Sequence, residues 1–144
     1  MEKFHGEIRM FRYSAKRFIE GAELLYALLP SLPESKRDDA RWIAGTAEFM
    51  GRSALTTSHV KRWYLAKKAI AEKKEVPARL RELREIAEEE IANVNATFPL
   101  VDFDSRLGFE PSMEYIGDRA HLEWKLEVMN RVLTEEIPQL EKEN

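Results

Sequence analysis

Hydrophobic residues recur three and four residues apart along four long stretches of the chain, which is the periodicity of one face of an α-helix. The first stretch predicts a helix over residues 7–29, which Pro30 and Pro33 end because proline lacks an amide proton and restricts the preceding residue. Its apolar stripe consists of Ile8, Phe11, Ala15, Phe18, Ala22, Leu25 and Leu29.

The second stretch predicts an unusually long helix over residues 36–74, with no proline inside it. One stripe on it contains only small residues, which let a neighbouring helix approach closely: Ala40, Ala44, Ala47, Gly51, Ala54 and Ser58. Beside it lie larger residues that widen the apolar surface: Ile43, Met50, Thr57 and Tyr64, with Trp42, Phe49 and Val60. A helix that is apolar over most of its circumference is buried, so we expect this helix at the centre of the fold.

Two further helices complete the pattern, over residues 78–98 and 112–137, the latter with Ser112 as N-cap and Pro138 as its end. The charge run of residues 81–89 is typical of a solvated helix face. No useful alternating strand pattern is present. The sequence therefore predicts an all-α fold, a single-domain four-helix up-down bundle over residues 1–144, with an ordered loop between helices 3 and 4.

That loop, residues 99–111, is longer than most helix–helix connections, and loops of this length tend to be functional or packed on themselves. Its apolar residues favour packing against the bundle, and Arg106 is placed to pair with Asp102 or Asp104 around Gly108. Polar groups on an ordered loop also mark binding sites. A structural role and a binding role both stay open, and the candidate binding residues are Asp102, Asp104, Arg106, Phe109, Glu110 and Tyr115.

Composition and charge narrow the class of protein. With 44% hydrophobic and 34% charged residues the chain is a globular protein, and no apolar run is long enough for a membrane span. Basic residues outnumber acidic ones 16 to 10 in residues 1–79 and are outnumbered 7 to 16 in residues 80–144. We interpret this as helices of opposite charge lying side by side, and expect no nucleic-acid or membrane partner. The N-terminus shows no signal peptide and the chain has no cysteine, which leaves the compartment open but favours the cytoplasm.

Motifs for catalysis, metals or cofactors are weak. Asp118 and His121 stand at i,i+3, but a second Glu-x-x-His is missing because Thr56 stands three residues before His59. We therefore interpret His121 as a surface residue paired with Asp118. No phosphate-binding or nucleophile motif is present, and we predict no metal, cofactor or catalytic residue in this chain.

The segment 104–115, with His121–Lys125, Val60–Tyr64 and Glu89–Asn93, is similar to the C-terminal helical region of large, mostly uncharacterised bacterial multidomain proteins related to glycoside hydrolases. The likeness covers about residues 40–137. In such proteins a barrel domain related to hexosaminidases or glucuronidases precedes the helical part. The resemblance implies an accessory domain of a longer chain, with the chemistry elsewhere, and implies no catalytic residue here.

Three functional hypotheses follow. The first is a non-catalytic helical accessory domain of a bacterial carbohydrate-processing protein, which packs on an upstream catalytic domain or shapes its cleft through residues 99–115, with carbohydrate as a further partner. The second is a free-standing bundle that binds a small molecule or a partner helix between its helices. The third is a hydrolase that uses Asp102, Asp104 or Glu110 as acid and base.

Overall fold

The computed structural model describes residues 2–110 and 115–143, and these residues fold as the predicted all-α bundle with a long second helix. Its helices are α1 (Glu2–Leu28), α2 (Glu34–Ala71), α3 (Val76–Phe103), α4 (Arg119–Arg131) and α5 (Ile137–Glu143). A 3-10 turn (Leu29–Ser31) follows α1, and a π-helical turn (Val132–Glu136) joins α4 to α5. Two short strands, β1 (Phe109–Glu110) and β2 (Tyr115–Ile116), pair antiparallel before α4. Each long helix packs antiparallel on the one before it.

The small-residue stripe of α2 contacts a neighbouring helix, as predicted, and the structure shows that this helix is α1. Ala44, Gly51 and Ser58 are buried there, opposite Ala15 and Ala22 of α1. The approach is close at Gly51, where an added Cβ would lie 2.9 Å from Ile19 Cγ1 and 3.0 Å from the backbone oxygen of Ala15. The two backbones come this close only because the residues between them are small.

The main apolar core lies between the second half of α2, the first half of α3 and the C-terminal helical segment. Its fully buried members include Leu83 of α3 and Ile137 of α5. The buried residues of this cluster are Ala66, Ile70, Leu80, Leu83, Ala87, Val132 and Ile137.

The sequence predicts that the third helix ends at residue 98. In the structure, α3 instead continues through Pro99 to Phe103. Proline removes one backbone hydrogen bond, but Leu100 and Val101 beyond it are buried and extend the apolar stripe of Val94. Burial of these side chains outweighs the lost bond, so the predicted loop 99–111 shrinks to residues 104–108 and the strand β1. The first three helices otherwise start two to five residues earlier than predicted, and α1 and α2 end earlier.

The last helix starts at Arg119 rather than at residue 112, because Asp118 is its N-cap and accepts a hydrogen bond from the backbone N–H of His121 at 3.1 Å. The predicted cap Ser112 lies outside the described residues.

Gly108 precedes β1 with φ +77°, and a Cβ there would lie 2.6 Å from the carbonyl oxygen of Gly117. Gly108 and Gly117 thus face each other at one end of the β pair, where the N–H of Gly117 donates to the carbonyl of Gly108 at 2.6 Å.

The prediction that Pro138 ends the fold is wrong. The chain passes it through the π-helical turn and continues as α5 to Glu143. Because Pro138 cannot donate to Thr134 and its ring crowds that carbonyl, a regular α-helix would be distorted here. The wider turn instead lets the amide of Ile137 donate to the carbonyl of Val132.

Much of the second predicted stripe of α2 is exposed, although the apolar circumference of this helix predicts a buried position at the centre of the fold. Ile43, Met50 and Tyr64 are 52%, 50% and 53% exposed. The helix lies between α1 and α3, and its third side has no neighbour among the described residues. None of the helices in residues 2–110 and 115–143 combines the length and the apolar content needed to cross a membrane.

Candidate functional site

Asp104, the most constrained of the predicted site residues, is buried and ties the α3–α4 connection to α2. Its carboxylate accepts hydrogen bonds from the backbone N–H of Arg106 at 3.0 Å, from Arg106 Nε at 2.8 Å and Nη2 at 2.9 Å, and from the indole N–H of Trp42. The predicted pairing of Arg106 with an aspartate is therefore confirmed. The Arg106 guanidinium also lies 5.1 Å from the centre of the Trp42 ring.

These contacts keep Asp104 ionised. The hydrogen bonds from Arg106, which outweigh the effect of burial, and that from Trp42 lower the pKa of Asp104 from 3.8 to about 2. A carboxyl group with such a pKa is a poor proton donor at neutral pH. Asp104 therefore anchors the turn that follows α3 to Trp42 of α2.

The other predicted site residues do not converge on Asp104. Asp102 pairs with Arg119 at 2.6 Å, on the surface where α4 begins. Phe109 and Glu110 form β1, and Tyr115 lies in β2; their side chains lie outside the described part of the structure. The binding role of the segment stays a prediction. The predicted surface pairing of His121 with Asp118 is confirmed, at 2.7 Å.

A polar cluster that the sequence analysis did not identify lies inside the bundle, where α2, α3 and α4 meet. At its centre is Glu90, which is 4% exposed. Its carboxylate contacts the ring Nδ1 of His59 and the ammonium group of Lys125, and accepts a hydrogen bond from Thr56 at 2.6 Å. Asn93, one turn along α3, donates to Thr56 Oγ1 and to the carbonyl of Arg52, both at 3.1 Å.

The helical spacing of these residues explains how they come to be buried. Glu90, Asn93 and Thr97 follow Leu83 and Ile86 on the inner face of α3 at intervals of three and four residues. Thr56 and His59 extend in the same way the stripe of α2 that carries Trp63, Ala66 and Ile70. The sequence signal for this cluster is that, on both α2 and α3, polar residues occupy positions of the helical repeat at which hydrophobic residues are expected.

Glu90 is ionised although it is buried. Burial raises its pKa, but the hydrogen bonds from His59, Lys125 and Thr56 and the charge of Lys125 outweigh it, so the net pKa lies below its usual value. Lys125 reaches the carboxylate from the solvent side and is 30% exposed. The charge of Lys125 thus compensates the buried charge of Glu90, and this ion pair lies at the inner end of an opening to solvent.

Two buried polar atoms in the cluster have no hydrogen-bond partner. One is Asn93 Oδ1; the donation from Nδ2 to the Arg52 carbonyl fixes the orientation of this amide. The other is His59 Nε2, which lies 3.1 Å from Oε2 of Glu89 without the geometry of a hydrogen bond. Buried polar atoms are almost always paired, so each exception needs an explanation.

The cluster separates two cavities, both lined by Thr56 and Lys125. We call them the polar chamber and the apolar chamber, and together the Glu90 cleft. The polar chamber, of about 290 Å³, is lined by Phe49, Arg52, Ser53, Thr56, Thr57, Asn93, Val94, Thr97, Gly117, Leu122 and Lys125. The apolar chamber, of about 330 Å³, is lined by Thr56, His59, Val60, Trp63, Ile86, Glu90, Lys125, Val128, Met129, Val132 and Glu136.

The two chambers of the Glu90 cleft, of about 290 and 330 Å³, are close to the lower end of the volumes of small-molecule sites. No group of three or more His, Cys, Asp or Glu side chains within residues 2–110 and 115–143 is arranged to hold a metal ion. Compared with models of protein families, with curated proteins and with solved structures, the chain gives no match. Its function is therefore argued from the geometry of the cleft.

Proposed function

We propose that this chain is a non-catalytic helical binding domain whose ligand occupies the Glu90 cleft. The observation that carries the proposal is the unpartnered buried atom Asn93 Oδ1, on a residue that lines the polar chamber. An unpaired buried polar atom costs about 1–3 kcal/mol. A ligand that supplies the missing partner after a small side-chain adjustment recovers part of this free energy, which favours binding.

The chemistry of the polar chamber favours a ligand rich in hydroxyl groups. Ser53, Thr56, Thr57 and Thr97 contribute hydroxyls. Those of Thr57 and Thr97 donate to backbone carbonyls within the chain and keep lone pairs that can accept from a ligand. A sugar residue supplies hydroxyl donors along its ring, and its C–H faces pack on apolar walls such as Phe49. We therefore propose a carbohydrate, as a single residue or a chain end, for this chamber.

The proposal includes the larger protein expected from the sequence resemblance. Glu90, Asn93 and Lys125 lie within the segments that resemble the helical region of glycoside hydrolase-related proteins. This placement supports an accessory domain of a bacterial carbohydrate-processing protein, with a catalytic domain upstream in the same parent chain. The alternative is a free-standing bundle. The reading frame upstream of Met1 distinguishes the two, because only the accessory domain requires it to continue.

The carboxylates argue for binding rather than hydrolysis. A general acid in glycoside cleavage needs a raised pKa, but the pKa values of Glu90 and Asp104 are both lowered by their partners. Asp102 is held by Arg119 on the surface. We propose that the isolated chain cleaves no glycan.

A matched pair of variants tests carbohydrate binding. Thr57 lines the polar chamber and donates to the Ser53 carbonyl, whereas Thr134 makes the same local bond to Asn130 on an exposed turn. We expect sugars from a panel of mono- and oligosaccharides to bind the wild-type chain in calorimetry. Thr57→Val should weaken this binding about five- to tenfold, the effect of one lost hydrogen bond of about 1 kcal/mol, and Thr134→Val should leave it unchanged. Absence of binding across the panel, or equal affinity of the two variants, would contradict the proposal.

A further inference from the structure

The two chambers of the Glu90 cleft are consecutive stretches of one groove between α2 and α4. Ser53 and Trp63, which lie ~15 Å apart along α2, line the polar and the apolar chamber respectively. The same order holds along α4, where Leu122 lines the polar chamber and Val128 the apolar chamber, while Lys125 between them lines both. An elongated ligand can therefore lie along the groove and occupy both chambers.

The polarity of this groove changes along its length. The side chains that line only the polar chamber include the hydroxyls of Ser53, Thr57 and Thr97 and the amide of Asn93. Most of the apolar chamber is lined by hydrocarbon side chains, which are Val60, Trp63, Ile86, Val128, Met129 and Val132. A molecule that matches both chambers has one end rich in hydroxyl groups and one apolar end.

The charged side chains that line the groove are already paired within the chain. These pairs are Glu90 with Lys125 and His59, Arg52 with Glu48, and Glu136 with Arg131. A charged ligand would have to break one of these pairs or leave its own charge without a partner, and either costs free energy. The groove therefore favours an uncharged ligand.

The shape of the apolar chamber favours the end of a small molecule over a partner helix. Its walls come from α2, α3, α4 and the π-helical turn, so the chamber is concave rather than a flat seam. Concave, largely apolar clefts of a few hundred Å³ are typical of small-molecule sites. Water in such a chamber finds few hydrogen-bond partners on its walls, and its replacement by a hydrocarbon group is favourable.

We propose that the ligand of the Glu90 cleft is a glycoside whose sugar lies in the polar chamber and whose aglycone, an alkyl or aryl group, lies in the apolar chamber. This inference rests on the proposed function, which places the sugar. It adds the second half of the ligand and assigns a use to the apolar chamber. The aglycone contributes affinity through buried apolar surface, whereas the sugar selects the ligand through hydrogen bonds.

Calorimetry with glycosides that differ only in the length of the aglycone tests this assignment. The ligands are the methyl and hexyl β-glycosides of glucose, galactose and mannose, kept below the concentrations at which the hexyl compounds form micelles, and 1-hexanol. Each buried methylene group strengthens binding about fourfold. For at least one sugar we expect the hexyl glycoside to bind at least about tenfold more tightly than the methyl glycoside, and more tightly than 1-hexanol.

Two exposed aliphatic residues of α2 provide a matched pair of variants. Val60 lines the apolar chamber and is 63% exposed, whereas Ile43 is 52% exposed and lines neither chamber. Val60→Asp should reduce the hexyl-to-methyl affinity ratio to below about threefold, because it places a charge beside the aglycone, and Ile43→Asp should leave this ratio unchanged. Val128→Thr, which keeps the side-chain shape on the α4 wall, should also lower it. Circular dichroism checks that each variant is folded.

The outcomes separate this inference from the proposed function. Thr57→Val, in the polar chamber, should weaken the binding of both glycosides by the same factor and leave their ratio unchanged. If methyl glycosides bind and hexyl glycosides bind no more tightly, or if Val60→Asp and Val128→Thr both leave the ratio unchanged, the aglycone assignment is overturned and sugar binding stands. If no glycoside binds, or if the hexyl glycosides bind no more tightly than 1-hexanol, both proposals are overturned.

Discussion

The close contact between α1 and α2 makes a quantitative prediction at Gly51. A Cβ added there would lie 2.9 Å from Ile19 Cγ1, 3.0 Å from the Ala15 backbone oxygen and 3.1 Å from Phe18 Cβ. The carbonyl can move away only if the whole of α1 moves. At Gly45 of the same helix a Cβ would meet nothing closer than the Tyr26 hydroxyl, at 3.7 Å, which is ordinary van der Waals contact.

Replacing each glycine by alanine isolates the packing effect. Both substitutions gain about 1 kcal/mol of helix propensity, and this gain cancels when the variants are compared. Overpacking costs about 1–3 kcal/mol and applies to Gly51→Ala alone. We expect Gly45→Ala to be more stable than the wild-type chain, and Gly51→Ala to be less stable than Gly45→Ala by about 1–3 kcal/mol.

Urea denaturation and thermal melting measure this difference directly. For a domain of this size each kcal/mol shifts the melting temperature by about 2–4 °C, so the two variants should differ by several degrees. Gly51→Leu, with a larger side chain at the same contact, should lose more. If Gly51→Ala melts at or above Gly45→Ala, the close packing of α1 on α2 is refuted.

Three further predictions concern the polar residues. Glu90→Gln should lower the free energy of unfolding by about 2–4 kcal/mol in urea denaturation, since Lys125 loses its buried counter-charge. The control, Glu85→Gln on the exposed face of the same helix, should change the free energy of unfolding by less than about 0.5 kcal/mol. Equal effects of the two substitutions would contradict the buried ion pair. The folded-state pKa of Asp104 is lowered from 3.8 to about 2, so its stabilisation is complete above pH 4 and is lost as the pH falls towards 2. Arg106→Ala should therefore melt at a lower temperature than the wild-type chain near neutral pH, by a small margin because Arg106 is exposed. The difference should disappear near pH 2, and a difference that persists there would argue against an ionic origin. Asp118→Ala should lose about 1 kcal/mol with the N-cap of α4 while Asp118→Asn retains most of it, and indistinguishable melting curves would show that this cap is dispensable.

The sequence predicts the helices and a close helix contact along the small-residue stripe of α2, because both depend on local periodicity; that the partner helix is α1 comes from the structure. The predicted end of α3 at residue 98, just before Pro99, is wrong because Leu100 and Val101 beyond the proline are buried and continue the helix. The start of α4 was placed too early since Ser112 resembles an N-cap, whereas Asp118 is the residue that caps the helix.

The Glu90 cleft was not predicted because it depends on which helices meet. Glu90 follows a charge run and, in one dimension, resembles the exposed glutamates before it. Its burial follows from the phase of the apolar stripe of α3, and its partners lie 31 to 35 residues away in the sequence, on α2 and α4. The contact between Trp42 and Asp104 spans 62 residues and was inaccessible to spacing arguments for the same reason.

Because of the π-helical turn before Pro138, the chain can lose one residue at this point without changing which side chains face the core. Val132 and Ile137 are both buried in the main core, although five residues of a regular α-helix would turn them about 140° apart. The π turn absorbs the additional residue and brings them to the same side. Deletion of one exposed residue within the turn, such as Thr134, would leave a spacing of four, which a regular α-helix also places on one side. The C-terminal segment can therefore lose one residue, in natural variation or by design, with its register in the core preserved, whereas an inserted residue has no second turn to absorb it.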